Sequence, residues 1–175
     1  RIISGPGSVS RVGALSKELG IKHALVVTDA GLCASGLHLS CMESLAAGEI
    51  RTSLYSNVVA DPPENVVLEA VQKAHDAQVD GVIGFGGGSS MDVAKVIAVL
   101  ANSKQKISEI YGVGNVRGNR LPLIQVPTTA DERAATDRAL AVVWSHELLR
   151  SALPRVIVTD VPLERALTEV RSHLL

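Results

Sequence analysis

The stretch GVIGFGGGSSMDVAK, Gly81 to Lys95, runs an apolar strand-like segment into three glycines and then into a helix-like segment. That is the layout of a phosphate cradle. Gly86, Gly87 and Gly88 have no Cβ to hold a ligand away, so backbone N–H groups can approach an oxyanion closely. The helix is expected to begin at Ser89 or Ser90, with Asp92 three residues after Ser89 at capping-box spacing. Its amino end adds partial positive charge, which suits a diphosphate. A glycine triplet between strand and helix can also be only a tight turn, so the chemistry needs support from elsewhere in the chain.

Asp29 closes the run ALVVTD. A carboxylate after such a strand can accept hydrogen bonds from ribose hydroxyls, which favours NAD over NADP because it would repel a 2′-phosphate. The alternative role is a turn or cap residue. Asp92 and Lys95, one helical turn apart, can pair with each other, contact a bound cofactor or lie on a solvated face. On an exposed helix the pairing is worth only about 0.2–0.5 kcal/mol. YGVGNVRG, Tyr111 to Gly118, contains a GxG with no strand leading into it and reads as a surface loop. The five histidines, His23, His38, His75, His146 and His173, form no HExxH or i, i+4 pair. Cys33, His38 and Cys41 fit no standard zinc spacing, so reduced thiols are expected there.

Positioning these residues calls for alternating elements. Strands are expected at Ala24 to Thr28, Thr52 to Ser56, Gly81 to Phe85, Leu121 to Val126 and Arg155 to Thr159. Helices are expected at Ser8 to Leu19, Leu37 to Ala47, Glu64 to Ala77 and Ser90 to Asn102. This order predicts an α/β fold, a Rossmann-like parallel sheet with helices on both faces. ALVVT and GVIGF are apolar at successive positions and should be central strands. Right-handed crossovers then put the strand-to-helix loops on one edge, where open α/β sheets bind ligands. Asp61-Pro62-Pro63 reads as a loop before a helix, and the pattern weakens after Asp131.

Composition narrows the function classes. The 175 residues are 46% hydrophobic with a net charge of -1 and only two Tyr, one Trp and one Phe. Without a basic stripe or stacking platforms, nucleic acid is not an expected partner. No apolar run approaches the roughly 20 residues that span a bilayer, and no signal pattern is seen at Arg1, so a cytoplasmic protein is expected without membrane contact.

The string GGGSSMDVAK resembles the GGGSxxDxAK signature of the iron-containing, metal-dependent alcohol dehydrogenases. LPLIQVPTTA, Leu121 to Ala130, looks like that family's second nucleotide loop, and the resemblance implies that Thr128 and Thr129 donate hydroxyl hydrogen bonds beside the cofactor. ALVVTDAG matches the family's first strand ending in Asp, and VVADPPENVV its V-x-P-x-P lead-in to a helix. These strings cover residues 1 to 130 in order. The implied cofactor-binding set is Asp29, Gly86, Gly87, Gly88, Ser89, Asp92, Lys95, Thr128 and Thr129.

The resemblance implies an NAD-dependent oxidoreductase moving hydride between an alcohol, diol or aldehyde and the nucleotide, with Fe2+ or Zn2+ held by one Asp and three His. Those ligands belong to a helical domain after a segment resembling LPRVIVTDVPLERALT, which ends here at Thr168, seven residues before Leu175. The expectation is a dinucleotide-binding domain over 1–168, irregular over 130–150, and the start of an absent metal domain over 169–175. No catalytic or metal residues are expected in it, and whether this chain is itself an enzyme stays open. Where the family has AGTGSE after Pro-Thr-Thr, this chain has ADERAAT, placing Asp131, Glu132 and Arg133 where small residues would let the nicotinamide approach. The alternatives are a non-catalytic nucleotide-binding or regulatory module, and a relative of glycerol dehydrogenase or dehydroquinate synthase. Self-association as a homo-oligomer, commonly a dimer, is also implied.

Overall fold

The computed structural model describes residues 1–112, 114–128 and 156–159. Six strands, β1 (Ile2–Ser4), β2 (His23–Asp29), β3 (Arg51–Val58), β4 (Gly81–Gly86), β5 (Leu123–Pro127) and β6 (Val156–Thr159), form one sheet. The helices are α1 (Val12–Glu18), α2 (Ala30–Ala34), α3 (Leu39–Ala47), α4 (Glu64–Asp76) and α5 (Gly88–Leu100).

The sheet order is β1-β6-β5-β4-β2-β3, and every pairing is parallel. β2 and β4 are neighbours, yet β2 leads by way of α3 to β3 on one side, while β4 leads by way of α5 to β5 on the other. The chain therefore reverses its direction of travel between β2 and β4, which opens a crevice at their carboxyl ends.

Continuous apolar runs produce these central strands. Every residue of β4 and all of β2 except Asp29 are buried, as expected where helices cover both faces. On one face Leu25, Val27, Val82 and Leu123 meet α4 and α5 through Val67, Ala70, Ala94 and Ile97. On the other, Ala24, Val26, Ile83 and Ile124 meet α1 and α3 through Val12, Leu15, Cys41 and Leu45. α4 follows Pro62-Pro63 and buries Val67, Ala70, Val71 and Ala74, one stripe at helical spacing. α1 and α3 cross closely: a Cβ on Gly13 would lie 2.0 Å from the Ser44 carbonyl oxygen. The Ser44 hydroxyl accepts from the Gly13 amide at 3.0 Å and donates to the Ser10 carbonyl at 2.7 Å.

Several boundaries differ from the sequence reading. The Ser8 to Leu19 segment divides into a 3-10 turn, Ser8–Arg11, and the shorter α1. The strand expected from Leu121 starts at Leu123. β1 and α2 carried too few residues for a periodic signal. Residues 131–150 and the boundary expected at 168 lie outside the described residues.

Candidate functional site

The crevice is a cleft of about 670 Å³, lined by the residues that follow β2, β3 and β4, within the range of small-molecule sites. Asp29, Ala30 and Gly31 form one wall and Val58 to Asp61 another; Gly87, Gly88, Ser89, Ser90 and Asp92 form the floor.

The floor is shaped by what the helix lacks. α5 starts at Gly88, with Gly87 in extended geometry at its N-cap and no side chain capping it. The first ladder bond near this end is Met91 N–H to Gly87 O at 3.1 Å. The amides of Gly88, Ser89 and Ser90 precede it, where a helix has no acceptors of its own. Gly86 turns the chain with φ +144, and a Cβ there would meet Leu32 and Ser90 side chains at 3.0 Å. The residue type is thus set by both conformation and space.

The capping box expected from Ser89 and Asp92 does not form. With the helix beginning one residue earlier, Asp92 is its fifth residue and lies too far from the N-cap to bond back to it. Its carboxylate instead accepts from Lys95 Nζ at 2.7 Å. The pair is lopsided, since the Lys95 side chain is 4% exposed and that of Asp92 is 61% exposed. Lys95 is therefore not on a solvated helix face, and its ammonium lies buried behind a carboxylate that borders the cleft.

Asp29 adopts the role of a cap while remaining at the cleft. Its Oδ1 accepts from the Leu32 amide at 2.9 Å, closing the first turn of α2. On the facing wall, the β2–β3 register slips between Val27 and Asp29, a bulge that turns Val58 to Asp61 across the strand ends. Asp61 completes this turn at φ +46, a conformation that Asp tolerates better than most residues.

The iron-containing alcohol dehydrogenase family profile matches residues 1–160. The chain belongs to that family. It is 33% identical over 175 residues to the probable alcohol dehydrogenase EutG of Escherichia coli K12, covering 98% of this chain and 44% of that one. It is 32% identical over 141 residues to the NAD-dependent methanol dehydrogenase of Bacillus methanolicus, covering 81% and 37%. Among solved structures, a 1,3-propanediol oxidoreductase superposes with a TM-score of 0.76 at 23% identity, covering 91% and 43%. The chain spans less than half the length of these relatives.

Of the nine cofactor-binding residues expected from the sequence, Asp29, Gly87, Gly88, Ser89 and Asp92 line the cleft. Gly86, Lys95 and Thr128 do not line it, although Gly86 directly precedes Gly87 and Lys95 bonds Asp92. Thr128 is half-buried and its amide donates to the Gly86 carbonyl at 3.2 Å, so β5 delivers it beside the glycine turn. Thr129, Asp131, Glu132 and Arg133 lie outside the described residues. The sequence reading missed the Val58 to Asp61 wall, although the rule placing ligands after parallel strands pointed to it once Asp61-Pro62-Pro63 was read as a loop.

Among the described residues, no three His, Cys, Asp or Glu side chains gather to hold a metal ion. His23 bonds Ser53 through Nε2 at 3.0 Å at the opposite edge of the sheet, and His75 is exposed. His146 and His173 fall outside the described residues. Cys33 and Cys41 are free thiols, and burial pushes Cys41 up to about 12. That thiol is held neutral, the form that neither attacks nor ligates well. Nor is any helix among the described residues long and apolar enough to cross a membrane.

Proposed function

We propose that this chain forms the nicotinamide-dinucleotide-binding half of a metal-dependent alcohol dehydrogenase and takes NAD in preference to NADP. The observation that carries the reading is the uncapped start of α5 opening into the cleft between β2 and β4. Amides of Gly88, Ser89 and Ser90 bind the diphosphate, and the bare backbone at Gly86 and Gly87 lets it approach. Asp29 accepts from the adenosine ribose and repels a 2′-phosphate. The apolar face of Val58 and Val59 shelters the adenine. Lys95 adds positive charge behind Asp92; Thr128, on the β5 side, and Thr129 donate hydroxyl hydrogen bonds to the nucleotide.

A bound nicotinamide ring supplies a hydride acceptor for alcohol oxidation. This chain's part is to hold and orient the nucleotide. Stabilising the alkoxide requires a Lewis acid, and the described side chains do not build a site for one, so no step of alcohol chemistry is assigned to them. Substrates in the complete enzyme are small alcohols, diols or aldehydes. Two unpaired cysteines suit a reducing compartment, and we read the protein as cytoplasmic and self-associating.

Calorimetric titration of the folded chain tests this reading. Saturable heat with NAD, and weaker binding of NADP, is expected; no heat at millimolar NAD overturns it. Alcohol-dependent NADH formation on adding ferrous or zinc ions would show that this stretch also holds the metal, against the assignment made here.

A further inference from the structure

β5 carries a fully buried polar side chain, and its amide is directed at α5. Gln125 is paired in register with Gly84 of β4. A Cβ on Gly84 would lie 2.0 Å from Gln125 Oε1 and 2.9 Å from the Ala94 methyl. The carboxamide thus occupies space that only a glycine leaves open, roofed by a small residue of α5. From there Nε2 donates to the Met91 carbonyl oxygen at 2.8 Å, while Oε1 has no partner.

Met91 is the fourth residue of α5, and its own amide bonds back to Gly87. The Gln125 side chain therefore connects β5 to the helical turn whose first residues, Gly88 to Ser90, line the cleft. Leu123, which joins the same core, fills its place with hydrocarbon alone. An apolar residue at 125 would pack there without leaving a buried acceptor unpaired, an arrangement that ordinarily disfavours folding. Apolar packing is non-directional and lets a helix settle at a range of positions on a sheet. A hydrogen bond fixes both distance and angle.

We propose that Gln125 is a positioning residue for the diphosphate turn, setting through Met91 the place of the Gly88 to Ser90 amides in the cleft; this rests on the nucleotide-binding reading. Gly84 and Ala94 are the matching parts, since either side chain enlarged would displace the carboxamide.

The test uses the full chain carrying Gln125→Met, which keeps length and volume but has no donor. Affinities for NAD, ADP-ribose and adenosine are read by calorimetry or competition, with urea midpoints and amide hydrogen exchange alongside. Losing one neutral hydrogen bond should weaken NAD and ADP-ribose together by roughly two- to tenfold. Adenosine, which lacks the diphosphate, should bind unchanged, and exchange should quicken over residues 88–95 more than in β2 or β4. Unchanged ADP-ribose affinity and unchanged exchange, whatever the urea midpoint, overturn the proposal alone. A wild-type chain that binds neither NAD nor ADP-ribose overturns the nucleotide reading and the proposal with it.

Should Gln125→Met fail to fold, Gly84→Ala with Gln125→Ala puts a methyl where the carboxamide lay. The pair should be more stable than Gly84→Ala alone, yet remain weak for ADP-ribose. Full recovery of ADP-ribose affinity in the pair would count against the tether.

Discussion

Asp29 caps α2 and borders the cleft with the same residue, and substitutions can separate the cap from the proposed contact with the ribose. Removing the cap with Asp29→Ala should cost about 1 kcal/mol, read as a lower urea midpoint. Asp29→Asn keeps an acceptor for the Leu32 amide, so stability should hold while the preference for NAD over NADP narrows in titrations. An unchanged nucleotide preference would show that the residue is a cap and nothing more. Farther from the cleft, burial holds His23 below its ordinary value of 6.5, helped by Arg51 and opposed by Asp80. Because the unfolded chain takes up this proton more readily, the contribution is intact above pH 6.5 and is lost as the pH falls from there toward the lowered folded value. The urea midpoint should therefore decline between pH 7.5 and 5.5, and His23→Gln should flatten the decline. The sequence could place Asp29 at a strand end but could not say which donor it meets, because that depends on how α2 folds over it.

At the scale of elements, the closest constraint is the α1–α3 crossing. Gly13→Ala would force a methyl onto the Ser44 carbonyl oxygen, and overpacking of this kind costs roughly 1–3 kcal/mol. Urea unfolding would register it as a lower midpoint, whereas an unchanged midpoint would mean that the helices part at little cost. Strands and helices long enough to show a period were legible: ALVVT and GVIGF became the buried strands β2 and β4, and Glu64 to Asp76 became α4. What escaped had no local signal. β1 is three residues long and is held by β6, more than 150 positions away, so nothing near Ile2 announces it. The start of α5 was misjudged because Ser89 and Ser90 are good caps, yet the helix begins at Gly88, ahead of both. That one-residue difference leaves the floor of the cleft uncapped.

The whole molecule couples two apolar layers through one sheet, so ligand binding at the crevice should be felt globally. NAD at 100 times its dissociation constant should stabilise the chain by about 2.7 kcal/mol, measurable as a shift in thermal midpoint that grows with nucleotide concentration. The family resemblance, the parallel order and the position of the crevice were all legible from GGGSSMDVAK and the alternation of elements. The bulge between β2 and β3 was not, since only the paired strands define a register.

The β1–β6 pairing sets Ile3 opposite Val158. During translation, the earliest of these strands must therefore wait, unpaired, until the latest has emerged from the ribosome. Such a distant partnership carries a large loop-closure cost and should form late. In the interval the nascent protein displays a bare hydrogen-bonding rim on β5, a vulnerable moment at which chaperones have the most to protect.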